Sequence, residues 1–118
     1  MRWAVEFTDE FDSWWTALSE NEQVEISAKV DLLEEHGPTL PRPHADTITT
    51  SRHSNMKDLR AKVEERHLRV FAFDPRRTAV LLIGGDKTND PGWYERFVPV
   101  ADQLLEQHIR QLKRKSTE

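Results

Sequence analysis

The chain is expected to fold as one α+β domain spanning residues 1–118, and three observations carry that expectation. Two helix-period segments follow a short alternating run at the N-terminus. Three strand-like runs come next, divided only by short turn signals, which is the pattern of antiparallel neighbours. A long amphipathic segment closes the chain.

Taken in order, Arg2 to Phe7 alternates as a strand, with Trp3, Val5 and Phe7 on one face. Thr8 is placed to cap a helix whose first turn carries Asp9, Glu10 and Asp12, where acids suit the positive end of the helix dipole. Phe11, Trp14, Trp15 and Leu18 lie on one helical face. Ser19 and Glu22 have capping-box spacing and open a second helix, which Gly37-Pro38 should stop. The junction at Leu18-Ser19 is short enough for an antiparallel helical hairpin. Pro38 to Asn55 holds three prolines and many Ser/Thr, and reads as a long surface loop.

Two turn signals, Glu64-Glu65-Arg66 and Asp74-Pro75-Arg76-Arg77, then cut the middle into three runs. Met56–Val63 and His67–Phe73 alternate, whereas Thr78–Ile83 is apolar enough for a central strand covered on both faces. Pro91 to Lys115 is expected to be a helix, kinked at Pro99 or begun there, with Val100, Leu104, Leu105, Ile109 and Leu112 as its apolar stripe. Lys113–Lys115 suit the negative end of its dipole.

Composition narrows the class. Hydrophobic residues make up 36% and charged residues 32%, a balance that suits a soluble globule. No apolar run approaches a membrane span, and the N-terminus shows no secretion signal, so a cytoplasmic protein is expected. Cysteine is absent, which removes disulfides, thiolate metal sites and a cysteine nucleophile. The net charge of −4 is unevenly spread: residues 1–51 carry −8, residues 52–87 carry +4, and the remainder is neutral. Such asymmetry can focus a polyanion on one face.

The stretch "LLIGGDKTND" (Leu81 to Asp90) poses the sharpest question, because a buried strand runs into a glycine pair followed by Asp86 and Lys87. It is not a phosphate loop, since Asp86 separates Gly85 from Lys87 and the upstream glycine is missing. The five histidines (36, 44, 53, 67 and 108) lack ligand spacing, so no metal or other cofactor is expected. What remains is a set of cations, Lys57, Arg60, Lys62, Arg69 and Lys87, with aromatics at Phe71, Phe73 and Tyr94. Guanidinium groups pair with phosphates and rings stack on unpaired bases, so this set is equipped to hold RNA. Alternation gives Lys57 the face of Leu59, Ala61 and Val63, and gives Arg60 and Lys62 the other. Each residue has an ordinary alternative: Arg60 paired with Asp58 or Glu64, Arg69 packed on a ring, Asp86 and Lys87 shaping a turn.

The segment "MKDLRAKVEERHLRVFAFDPRRTAVLLIGGDKTND" resembles the centre of the RelE/ParE superfamily of toxins from type II toxin–antitoxin modules, in particular its phage-related HigB-like branch. Leu59-Arg60, Arg69-Val70-Phe71, the apolar run Ala79–Ile83 and Lys87 fall in that branch's order, and the surrounding helices suit its architecture. The resemblance implies a RelE-like fold and a metal-independent endoribonuclease that cleaves mRNA, usually on the translating ribosome. It implies inhibition by a cognate antitoxin, typically of helix-turn-helix type. Arg60, Arg69 and Lys87 would then be catalytic and stabilise the scissile phosphate. Lys57, Lys62, Phe71, Asp86 and Tyr94 would contact RNA, with Tyr94 and Asp86 also weighed for proton transfer. Where the family often has two lysines in the strand-end turn, this chain has one, preceded by an acid. Two other readings stay open: a ParE-like inhibitor of DNA gyrase, and a catalytically inactive antitoxin-binding module.

Overall fold

In a computed structural model the structure describes residues 3–53, 56–73 and 78–117, with side chains for all of these except residues 38, 73 and 113–117. The elements are β1 (Ala4–Phe7), α1 (Asp9–Thr16), α2 (Glu20–His36), a 3-10 turn (Gly37–Thr39), β2 (Ala45–Thr47), β3 (Lys57–Val63), β4 (Arg66–Phe73), β5 (Thr78–Asp86) and α3 (Trp93–Thr117). The expected Asp74–Arg77 turn and the side chains of the Lys113–Lys115 cluster lie outside the described residues.

Local signals set the element boundaries. The Thr8 hydroxyl accepts the Phe11 N–H at the start of α1, and Ser19 and Glu22 close a full capping box at the start of α2. Gly37 ends α2 with φ of +62°, a left-handed value that a side chain would resist.

The strands form one five-stranded sheet in the order β1-β5-β4-β3-β2. β3, β4 and β5 pair antiparallel as the expected meander, while β1 pairs parallel with β5, so β5 is an interior strand, next to the β1 edge, and apolar on both faces. α1 lies over β5 and α2 over β3 on one face, and α3 covers the other. Each face has its own core. Phe11, Ile26, Leu33, Leu59, Leu68, Val70 and Leu81 are buried together under α1 and α2. Met56, Phe71, Val80, Leu82, Trp93, Val98 and Leu105 are buried under α3.

Two expectations are corrected. The Pro38–Asn55 loop contains the edge strand β2, whose Ala45 is fully buried against β3; three residues in a proline-rich stretch are too short for a periodic signal. The last helix does not begin at Pro99 but at Trp93, after a turn closed by the Trp93 N–H donating to the Asp90 carbonyl. Pro99 therefore sits inside α3, on its exposed side. The helix is also pinned to the β2–β3 connection, because Asp102 accepts from the Ser51 hydroxyl (2.5 Å) and the Arg52 N–H (3.1 Å).

Candidate active site

One irregularity in β5 decides which residues meet. The β4–β5 register steps from Phe71↔Ile83 to Ala72↔Leu81, so Leu82 is an extra residue, a β-bulge. Ala79 and Leu81 face α1 and α2, but beyond the bulge the alternation inverts. Gly84 then faces Trp14 of α1, while Gly85 faces Trp93 of α3. Lys87, two residues further on, shares the α3 face with Gly85, and its ammonium lies 5.7 Å from the Tyr94 ring centroid. A regular strand would have sent Lys87 to the opposite face.

The glycine pair now has a physical reason. β5 runs through it to Asp86 rather than ending there. A Cβ on Gly84 would sit 2.3 Å from Trp14 Cε3, and one on Gly85 would sit 2.8 Å from Trp93 Cζ2. These positions let an indole lie flat on each face of the sheet, and the indole of Trp93 sets where α3 begins and hence where Tyr94 stands.

On that face Arg60 of β3 is the register partner of Arg69 of β4, and Arg69 is the partner of Gly85. Lys62 pairs with His67 in the next row, and the Lys87 N–H donates to the His67 carbonyl, so these residues border the same patch. Beneath the cations lies Asp58, which is 0% exposed. Its Oδ2 accepts from the Tyr94 hydroxyl at 2.7 Å and lies 3.7 Å from Arg69 Nε. Its Oδ1 accepts from Arg60 Nε at 3.4 Å. Arg69, only 7% exposed, also donates to the Tyr94 hydroxyl (3.1 Å) and to the Leu68 carbonyl (2.9 Å). Arg60 reaches Asp46 of β2 at 3.5 Å.

The electrostatics follow from this crowding. Burial, helped by the Arg69 and Arg60 charges, lowers the Lys87 pKa, with Asp58 acting weakly against it. Burial and the Asp58 carboxylate raise the Tyr94 phenol, against a smaller pull from Arg69. Tyr94 thus keeps its proton and spends it on Asp58. Lys87 and Tyr94 also wall an open depression together with Asn89, Asp90 and Pro91.

Three of the expected RNA contacts are placed elsewhere. Phe71 is fully buried, stacked on Trp93 with centroids 5.4 Å apart, so its ring is not offered to a base. Lys57 pairs with Ala72 on the α1/α2 face, away from the arginines. Asp86 faces that same side, where it accepts from Arg66 Nε (2.9 Å) and from the Thr88 hydroxyl (2.5 Å). Burial pushes the Asp86 pKa up, yet the Thr88 and Arg66 hydrogen bonds outweigh it and bring the value down to about 2. Arg60, Lys62, Arg69, Lys87 and Tyr94 do converge. Asp58, which the sequence offered only as a surface partner for Arg60, is the residue at the centre. Its one signal was an acid at a position that alternates with the buried Leu59 and Ala61.

A family model for phage-derived Gp49-like proteins (DUF891) matches residues 13–106. The chain belongs to that family. It is 41% identical over 104 residues to HigB3 of Mycobacterium tuberculosis, a protein named as a toxin, covering 87% of this chain and 90% of that one. It is 35% identical over 108 residues to the toxin-named HigB2 of the same organism, covering 89% of this chain and 54% of that longer one. In fold it resembles an arginine-to-alanine double variant of Escherichia coli RelE in the free state, at a TM-score of 0.57 and 12% identity, covering 80% and 94% of the two chains. It also resembles the archaeal RelE–RelB complex from Pyrococcus horikoshii, at a TM-score of 0.53 and 16% identity, covering 75% and 99%. These likenesses bear out the RelE-like α+β fold. Among the described residues no helix is long and apolar enough to cross a membrane.

Proposed function

We propose that this Gp49-like protein is the toxin of a type II toxin–antitoxin pair, an endoribonuclease that cuts mRNA on the translating ribosome in the cytoplasm. The observation that carries the reading is the set of three cations, Arg60, Arg69 and Lys87, brought together at one end of the α3-side sheet face. The toxin names of HigB3 and HigB2 support it. The RelE–RelB assembly of a structural neighbour supports an antitoxin partner, which we take to be of helix-turn-helix type.

The reaction suits such a face. The ribose 2′-hydroxyl gives up its proton to solvent water and attacks the adjacent phosphorus, so a P–O2′ bond forms as the P–O5′ bond breaks. The 5′-oxygen takes a proton and leaves as a hydroxyl, and the other fragment ends in a 2′,3′-cyclic phosphate. Negative charge accumulates on the phosphoryl oxygens on the way, and the Arg60, Arg69 and Lys87 charges meet it there. The lowered pKa of Lys87 makes its ammonium a readier proton donor to the leaving oxygen. Lys62, exposed at the edge of the patch, extends the cationic track for flanking phosphates.

The test is induction of the chain without any antitoxin, followed by primer extension on several cellular transcripts. New discrete 5′ ends inside coding regions are expected. Lys87→Ala should reduce them about 100-fold, the usual loss when one positioned charge donor is removed from a developing oxyanion. Growth arrest with intact transcripts would overturn the reading and bring the gyrase-inhibitor alternative forward.

A further inference from the structure

We propose that Asp58 is a positioning residue that holds Arg60 and Arg69 side by side for the scissile phosphate. The proposal rests on the endonuclease reading and extends it to a group that touches no substrate. Arg60 and Arg69 are direct register partners on adjacent strands, and like charges directly opposite each other on a sheet repel. Two extended arginines in that relation would splay apart unless an anion lay between them.

Asp58 is that anion. It sits two residues before Arg60 on the same face of β3, is wholly buried, and gives one oxygen to each arginine. Both contacts are made to Nε, the inner edge of the guanidinium. Arg69 commits Nη1 to the Leu68 carbonyl, and Arg60 directs Nη2 to Asp46. Arg60 Nη1 and Arg69 Nη2 lie outside these contacts and suit two oxygens of one phosphate, the geometry at which arginine excels. Tyr94 locks the arrangement, since its hydroxyl donates to Asp58 and accepts from Arg69. A lone buried carboxylate is strongly disfavoured, and a paired one adds little over an apolar filling of the same space. Stability alone therefore gives no reason for an acid at this position, whereas arginine placement does.

The test uses Asp58→Asn, which keeps the side chain's size and an acceptor for Tyr94 but removes the charge. Cleavage of a ribosome-bound mRNA is followed at rising protein concentration. The plateau rate should fall roughly tenfold or more, as expected for misplaced catalytic groups, while the half-saturating concentration stays level or drops. In parallel, sulfate should raise the melting temperature of Asp58→Asn more than that of the wild type, because it replaces the missing anion. An unchanged plateau rate overturns the proposal. So does a lowered rate without the added sulfate response, since the loss then has another origin. If the wild type cleaves nothing while sulfate still separates the two proteins, the endonuclease reading fails and the arginine placement stands. Should Asp58→Asn not fold, Asp58→Asn combined with Arg60→Gln removes the repulsion and should be the more stable of the two. A double variant no more stable than the single one overturns the assignment.

Discussion

At one end of the sheet two ionic clusters sit back to back, and their charge balance separates a clamp from a site. On the α1/α2 face, Arg66 is held by Glu22 of α2 and by Asp86 of β5, and Asp86 is further held by Thr88. One cation there meets two carboxylates, all of them committed. On the α3 face Arg60, Arg69 and Lys87 crowd around the single buried Asp58, and Asp46, which Arg60 reaches at 3.5 Å, is already held by Arg42 at 2.5 Å. That cluster carries surplus positive charge and can accept an anion; the first cannot. Both clusters draw on β3–β5 and its turn, so proximity in sequence does not tell them apart. Local stoichiometry does.

The largest effect should come from breaking the α3-side cluster at its most buried cation. Arg69→Ala leaves the buried Asp58 charge with Arg60 as its one remaining cation, and truncating one partner of a buried pair costs up to about 3–5 kcal/mol. Chemical denaturation should show that loss together with the disappearance of cleavage. Lys87→Ala, at the rim, should abolish most cleavage without comparable destabilisation, so the pair of variants separates framework from chemistry.

The glycine pair sharpens the contrast between the two faces. Gly85→Ala pushes on Trp93 and Gly84→Ala pushes on Trp14, each costing about 1–3 kcal/mol by overpacking. Only Gly85→Ala should also lower the cleavage rate per folded molecule, because Trp93 precedes Tyr94. Equal activity losses from both would show that the two faces are not independent.

The smallest effect belongs to the clamp. Asp86 has a pKa of about 2, below the unfolded carboxylate, so its contribution is present above about pH 4 and fades as pH falls toward 2. Asp86→Asn should cost about 1–2 kcal/mol at pH 7, discounted for its partial exposure, and should flatten the acid limb of the stability curve. Its effect on cleavage should be negligible, which separates it from every residue around Asp58.

Caps, turn residues and periodicity in the sequence determined the element order, since each acts within a few residues: Thr8 and Ser19 start their helices, Gly37 ends one, and alternation marks β3 and β4. The same local information gathered Lys57, Arg60, Lys62, Arg69 and Lys87 as the cations of the middle segment, and the family resemblance singled out Arg60, Arg69 and Lys87 among them. It does not reveal β2, whose three residues are too few to show a period, and it leaves Pro99 open as a helix start because a proline's local preference for a first turn is indistinguishable from its tolerated place on the exposed side of a longer helix. The tertiary structure alone decided the rest. One extra residue at Leu82 inverted every later side chain of β5, carrying Lys87 to the arginines and Asp86 away from them. Asp58 acquired its role only when α3 folded back to bring Tyr94 above it, 36 residues along the chain. A bulge and a long-range contact have no periodic signature, because each is fixed by how separate elements pack and not by the residues beside it.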